Sequence, residues 1–110
     1  MIDLIDRQIE AYNRRDLEAF VRCYHPHIQV THLNSEHKPL HGIEELRTLY
    51  GTVFETNPKI HGEIKSRIIL ESSIIDEEWI TGSVKYPNGL HGVVIYAFRD
   101  GLIDRVWFPH

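Results

Sequence analysis

Apolar residues recur at steps of three and four in the first half of the chain, and at steps of two in the second half. Ile2, Ile5, Ile9 and Tyr12 form one stripe, which predicts an amphipathic first helix. Asn13-Arg14-Arg15 interrupts it. Asp16 follows as an N-cap, because its carboxylate can accept from the free amides of a new turn. Leu17, Phe20, Val21 and Tyr24 then predict a short second helix that Pro26 ends. Ile28 to His32 alternates apolar and polar, the period of a half-buried strand, with Ile28, Val30 and His32 on one face. Asn34 to Pro39 is polar and reads as a turn. Ile43, Leu46, Leu49, Tyr50, Val53 and Phe54 predict a third helix after Gly42, closed by Asn57-Pro58.

From Ile60 the period becomes two. Ile60, Gly62, Ile64, Ser66, Ile68 and Leu70 share one face of a long strand, and Ser72-Ser73 turns the chain. A second strand is expected from Ile74 to Tyr86, with Pro87-Asn88-Gly89 as a hairpin turn. Leu90 to Arg99 and Leu102 to Phe108 complete the set around a tight Asp100-Gly101 turn. Helices first and an antiparallel meander after them define an α+β class, with the helices on one face of the sheet.

A length of 110 residues suits one domain over 1–110, and 42% hydrophobic with 25% charged residues is the balance of an ordinary globule. No apolar run approaches a membrane span, and Asp3 and Asp6 break up the start, so neither a signal peptide nor a membrane partner is expected. The only local basic pair is Arg14-Arg15 in a chain of net charge −4, which sets nucleic acid aside. One cysteine, Cys23, reads as a packed thiol, and a cytoplasmic setting is expected.

Three local patterns carry a resemblance. Tyr12-Asn13-Arg14-Arg15-Asp16-Leu17-Glu18-Ala19-Phe20 resembles a helix-to-helix corner. His41-Gly42-Ile43-Glu44-Glu45-Leu46 resembles a helix start. Phe98-Arg99-Asp100-Gly101-Leu102-Ile103 resembles a hairpin, followed by Val106-Trp107-Phe108. In this order and spacing they resemble SnoaL-like members of the nuclear transport factor 2-like superfamily, which includes ketosteroid isomerase. The resemblance implies a strongly curved antiparallel sheet wrapped around three helices, leaving a conical pocket for a small apolar ligand. It implies isomerase, dehydratase or cyclase chemistry without a cofactor, or a non-catalytic binding or dimerisation module, because a fold does not fix a function.

The resemblance places His32 where ketosteroid isomerase keeps its base, and imidazole suits proton transfer near neutral pH. Tyr24 and Tyr50 match two tyrosines of that enzyme's hydrogen-bond network. Gln8 and Val94 stand where its oxyanion donors would be. The arginine and aspartate set of limonene epoxide hydrolase has no counterpart. Aligning Asn88-Gly89 with the family hairpin turns Trp79 toward the pocket. Tyr12, Tyr24, His32, Tyr50, Trp79, Val94 and Phe108 are therefore the expected lining, and His110 shares the face of Val106 and Phe108 as a further candidate contact. Each has a plainer reading: a structural histidine, core tyrosines, a ring that fills the cone, a frayed terminus.

His25, His27, His37 and His41 lack any Cys pair or His-Glu-x-x-His helix, so they read as a polar rim and no metal is expected. Glu77 and Glu78 are adjacent, so on a strand they face opposite sides and cannot act as a pair. Val93, Ile95 and Ala97 form an apolar run opposite the Val94–Tyr96 face, with Trp107 beside them on the next strand, which predicts a homodimer through the outer face of the sheet.

Overall fold

The corner at Asn13–Asp16 sets the helical half. The computed structural model describes residues 1–109. The first helix, α1 (Ile2–Arg14), buries Leu4, Ile5, Gln8 and Ala11 and stops at Arg15, whose φ of 56° is left-handed. Asn13 then acts as a surrogate strand edge. Its Nδ2 donates to the Gly62 carbonyl at 3.0 Å, and its Oδ1 accepts from the Gly62 amide at 2.7 Å. Asp16 caps α2 (Leu17–Val21), accepting from the Ala19 amide at 3.2 Å. The second helix is shorter than its stripe predicted. Tyr24 belongs to the next element, β1 (Tyr24–His32), and Pro26 lies inside that strand. Proline is tolerated there because β1 loses register with its neighbour between Tyr24 and Gln29, so no ladder bond needs its missing N–H.

A short β2 (Leu40–His41), not foreseen from the sequence, precedes α3 (Gly42–Thr56). The remaining strands are β3 (His61–Ile69), β4 (Ser73–Thr81), β5 (Leu90–Arg99) and β6 (Leu102–Phe108). They join in the order β2-β1-β6-β5-β4-β3. Every pairing is antiparallel except β1 with β6, which run parallel. The sheet is thus not a pure meander, because the α3 crossover carries the chain from the β1–β2 edge to the opposite one.

Irregularities in the ladders bend the sheet and fix which side chains face inward. In β3 the pairing jumps from Ile64↔Glu78 to Ser66↔Glu77, so Lys65 is an extra residue. Beyond it the faces swap. Arg67 turns inward, where the sequence pattern placed Ile68, and Ile68 is 56% exposed. A second shift between Ala97 and Phe98 bends β5 against β6. Arg67 meets the fully buried Asp76 in a two-pronged pair, Nε to Oδ1 at 2.6 Å and Nη2 to Oδ2 at 3.0 Å, and its Nη1 reaches Asp6 of α1 at 3.0 Å.

The second long strand ends at Thr81, not at Tyr86. Gly82 takes a φ of +74°, with the Lys59 carbonyl packed where a Cβ would stand, and residues 82–89 form a loop. Val84 donates its amide to Asn57 Oδ1 at 2.8 Å, which ties this loop to the end of α3. The Asp100-Gly101 turn is tight as predicted, with φ of 55° and 75°. Phe20 is the hinge of the core. Its ring lies 4.5 Å from Tyr50, 5.0 Å from Tyr24 and 5.7 Å from Phe54.

Candidate functional site

Between α1, α3 and the concave face of the sheet lies a cavity of about 850 Å³. Its deeper wall is Leu46, Val94 and Val106, with Tyr24, Gln8 and Tyr96, all buried. Its mouth carries His32, Ser35 and His37 from the β1 side and Val84, Lys85 and Tyr86 from the 82–89 loop. Leu49 of α3 and Val84, at 46% and 68% exposure, add apolar surface to this polar entrance.

Of the residues singled out from the sequence, Tyr12, Tyr24, His32, Tyr50, Val94 and Phe108 line this cavity. Val94 and Val106 come from neighbouring strands and share the inner face, two residues off direct register, since Val106 pairs with Tyr96. His32 is the last residue of β1 and is exposed at the mouth, its ring stacked on Phe108 with centroids 4.9 Å apart. His110 lies outside the described residues.

Trp79 is a correction. The inward set on β4 is Ile74, Asp76, Glu78 and Ile80, so Trp79 faces out. It packs over Gly89, where its indole occupies the space of a Cβ, and tilts against His91 with centroids 6.4 Å apart. The hairpin turn expected at Pro87-Asn88-Gly89 is the end of the longer 82–89 loop, and that change of length inverts the face. The histidine rim also needs correction at one position. His25 is only 6% exposed and sits away from the cavity. Its Nδ1 accepts from the His27 amide at 3.0 Å, and its Nε2 lies 3.3 Å from Asp100 Oδ2. It therefore fastens the β5–β6 turn to the start of β1. Among the described residues no group of three or more His, Cys, Asp or Glu side chains is arranged to hold a metal ion.

The residue that the sequence reading passed over is Glu78. It does face away from Glu77, and for that reason it faces the cavity. Glu77 is held outside by Ser66 Oγ at 2.7 Å and by His91 Nε2 at 2.7 Å. Glu78 pairs across the ladder with Gly92, which has no side chain to cover it, and with Ile64 on the other side. Among the described residues its carboxyl has no hydrogen-bond or ion-pair partner. Burial, and then the nearby Asp76 charge, push its pKa up from 4.5 to about 7. The one signal available was Arg67: a buried partner for Asp76 implies that even-numbered β4 residues point in.

The tyrosines complete the electrostatics. Burial, reinforced by the Glu78 charge, holds Tyr12, Tyr24, Tyr50 and Tyr96 well above the usual phenol range, so all four are neutral donors. Tyr96 Oη donates to Gln8 Oε1 at 3.3 Å. The hydroxyls of Tyr12, Tyr24 and Tyr50 make no such bond among the described residues. An apolar chamber with a few unpaired polar groups converging on it has the make-up of a small-molecule site.

The outer face of the sheet has a different character. Ile68, Ile75, Ile95 and Trp107 stand in register across β3, β4, β5 and β6, an apolar row perpendicular to the strands. No helix among the described residues is long and apolar enough to cross a membrane.

The profile of the SnoaL-like domain matches residues 5–106. No curated protein matches the chain in sequence. Among solved structures, an uncharacterised cystatin-fold protein from Novosphingobium aromaticivorans superposes with a TM-score of 0.84 at 21% identity, covering 98% of this chain and 96% of that one. A Δ5-3-ketosteroid isomerase from Mycobacterium sp. gives 0.83 at 16% identity, over 99% and 91%. A proposed polyketide cyclase from Sinorhizobium meliloti gives 0.83 at 12% identity, over 96% and 93%. At these identities the likeness is one of fold.

Proposed function

Because the chain belongs to the SnoaL-like domain family, we propose that its cone binds a compact, mainly apolar small molecule bearing a carbonyl or hydroxyl, and rearranges it by proton transfer. Isomerisation, dehydration and cyclisation all fall in this class. The observation that carries the reading is the cavity of about 850 Å³, within the roughly 300–1,000 Å³ of ligand sites, with apolar walls and unpaired polar groups turned into it. Fold likeness to a ketosteroid isomerase and to a proposed polyketide cyclase is consistent with it.

In this reading His32 is the general acid/base at the mouth, where its ring is held against Phe108 and can exchange protons with solvent. Tyr12, Tyr24 and Tyr50 orient the ligand, and Val94 and Phe108 contact its apolar body. No cofactor enters the scheme. The setting is read as cytoplasmic, and the Ile68–Ile75–Ile95–Trp107 row as a homodimer contact, since an apolar strip of this kind calls for a partner.

The test is a screen of small cyclic ketones and enones for binding, followed by turnover in wild type and His32→Ala. A catalytic base contributes about 10²–10⁴-fold, so turnover should fall by at least about a hundredfold. Equal turnover in the two proteins would remove His32 from the chemistry. Binding with no turnover in either would leave a binding module.

A further inference from the structure

Glu78 is not required by the scheme above, yet it is the most unusual group in the chamber. It is a carboxyl on the inner face of β4, opposite Gly92, in a wall otherwise built of Ile80, Val94 and aromatic rings. Carboxyls set in apolar walls are normally paired. Its neighbour on the same face, Asp76, already is, with both oxygens bonded to Arg67. The groups that face Glu78 are the neutral tyrosines from four elements: Tyr12 on α1, Tyr24 on β1, Tyr50 on α3 and Tyr96 on β5. The positively charged and titratable side chains, Lys85, His32 and His37, line the same cavity from the 82–89 loop, the end of β1 and the turn that follows β1.

We infer that Glu78, in its protonated form, is the polar anchor of the cavity, donating a hydrogen bond to the oxygen of an uncharged ketone, enone or quinone-like ligand. This rests on the ligand-site reading, and adds to it a ligand class and a pH dependence. The chemistry selects the class. An unpaired acid facing rings and aliphatic walls satisfies its O–H through an acceptor that enters the cavity, and a ligand oxygen that displaces water there takes that bond. An anionic ligand would be repelled by the carboxylate form and by the nearby Asp76 charge. A cationic ligand would have to pass Lys85 at the mouth. A neutral acceptor meets neither obstacle. With a pKa of about 7, the acid is almost wholly protonated at pH 5.5 and almost wholly ionised at pH 8.5. Ionisation removes the donor and places negative charge against the ligand oxygen, so affinity for an acceptor should fall as pH rises through 7.

The experiment compares two probes of nearly equal size, 2-acetylnaphthalene and 2-ethylnaphthalene, by calorimetric titration at pH 5.5 and pH 8.5. The hydrocarbon reports the apolar chamber, and the ratio of the two affinities isolates the carbonyl. In wild type the ketone should be preferred by roughly three- to tenfold at pH 5.5, the worth of one hydrogen bond, and the preference should vanish at pH 8.5. Glu78→Gln keeps an N–H donor at every pH, so its preference should persist at pH 8.5. Glu78→Leu should show none at either pH. If both probes bind wild type with a ratio that does not change with pH, the anchor is overturned while the ligand site stands. If Glu78→Gln keeps the wild-type pH profile, another group titrates and the anchor is likewise overturned. If neither probe binds at any pH, the ligand-site reading falls, and the anchor with it.

Discussion

Replacing Glu78 by glutamine should stabilise the fold in a way that depends on pH. In the unfolded chain the carboxyl ionises near 4.5, whereas in the folded chain burial and Asp76 hold it to about 7. The sign follows from proton counting. Below pH 4.5 both states carry the proton, so the group costs nothing. Between 4.5 and 7 the unfolded state releases the proton and the folded state retains it, so stability falls as pH rises. Above 7 both are ionised and the penalty is complete. Each pH unit in that window is worth about 1.4 kcal/mol, so the penalty reaches roughly 3 kcal/mol. Glu78→Gln has nearly the same shape and no ionisation. Urea unfolding of both proteins from pH 4 to pH 8 gives the difference in stability directly, since groups unaffected by the substitution cancel. The difference should shift by roughly 3 kcal/mol in favour of glutamine between pH 4.5 and pH 7. A difference that stays flat within a few tenths of a kcal/mol would mean that the carboxyl is well hydrated, and would refute its desolvation in the chamber wall.

The other expectations concern the frame around the chamber. Arg67→Leu strands the fully buried Asp76 carboxylate and should cost about 3–5 kcal/mol, lowering Tm by at least about 10 °C by thermal circular dichroism. Arg67→Leu combined with Asp76→Leu should recover much of that loss, because no unpaired charge remains. Gly82→Ala drives a Cβ into the Lys59 carbonyl at a left-handed φ and should cost about 1–3 kcal/mol by urea unfolding. Sedimentation at micromolar concentration should give twice the 12.9 kDa chain mass for wild type and one chain for Ile95→Glu, whereas a wild-type monomer would dispose of the sheet-face dimer.

Much of this architecture is legible in the sequence because helix stripes and turn residues act locally. Leu46, Tyr50 and Phe54 predicted the inner face of α3, and Asp100-Gly101 fixed a tight turn. Parity was the weak point. In β4 the run Ile74-Ile75-Asp76-Glu77-Glu78 repeats each kind of residue on both faces, so periodicity cannot say which side is wet. One extra residue, Lys65, reverses β3 without leaving any compositional trace. The length of the 82–89 loop reverses the inference for Trp79. The spacing of Tyr24 fits a helix, and only its place beside Ile103 on β6 makes it a strand residue. The candidate site was therefore half visible. Aromatic and histidine positions stood out by type, while Glu78 was hidden by an equally acidic neighbour.

Binding of a small molecule on the concave side of the sheet can be read from nuclear Overhauser contacts between bound 2-acetylnaphthalene and the methyl-labelled protein. Cross-peaks should appear from the ligand to the methyls of Leu46, Val94 and Val106 in the chamber, with none to Ile75 or Ile95 on the outer face. Contacts confined to the outer methyls, or none at saturating ligand, would contradict it.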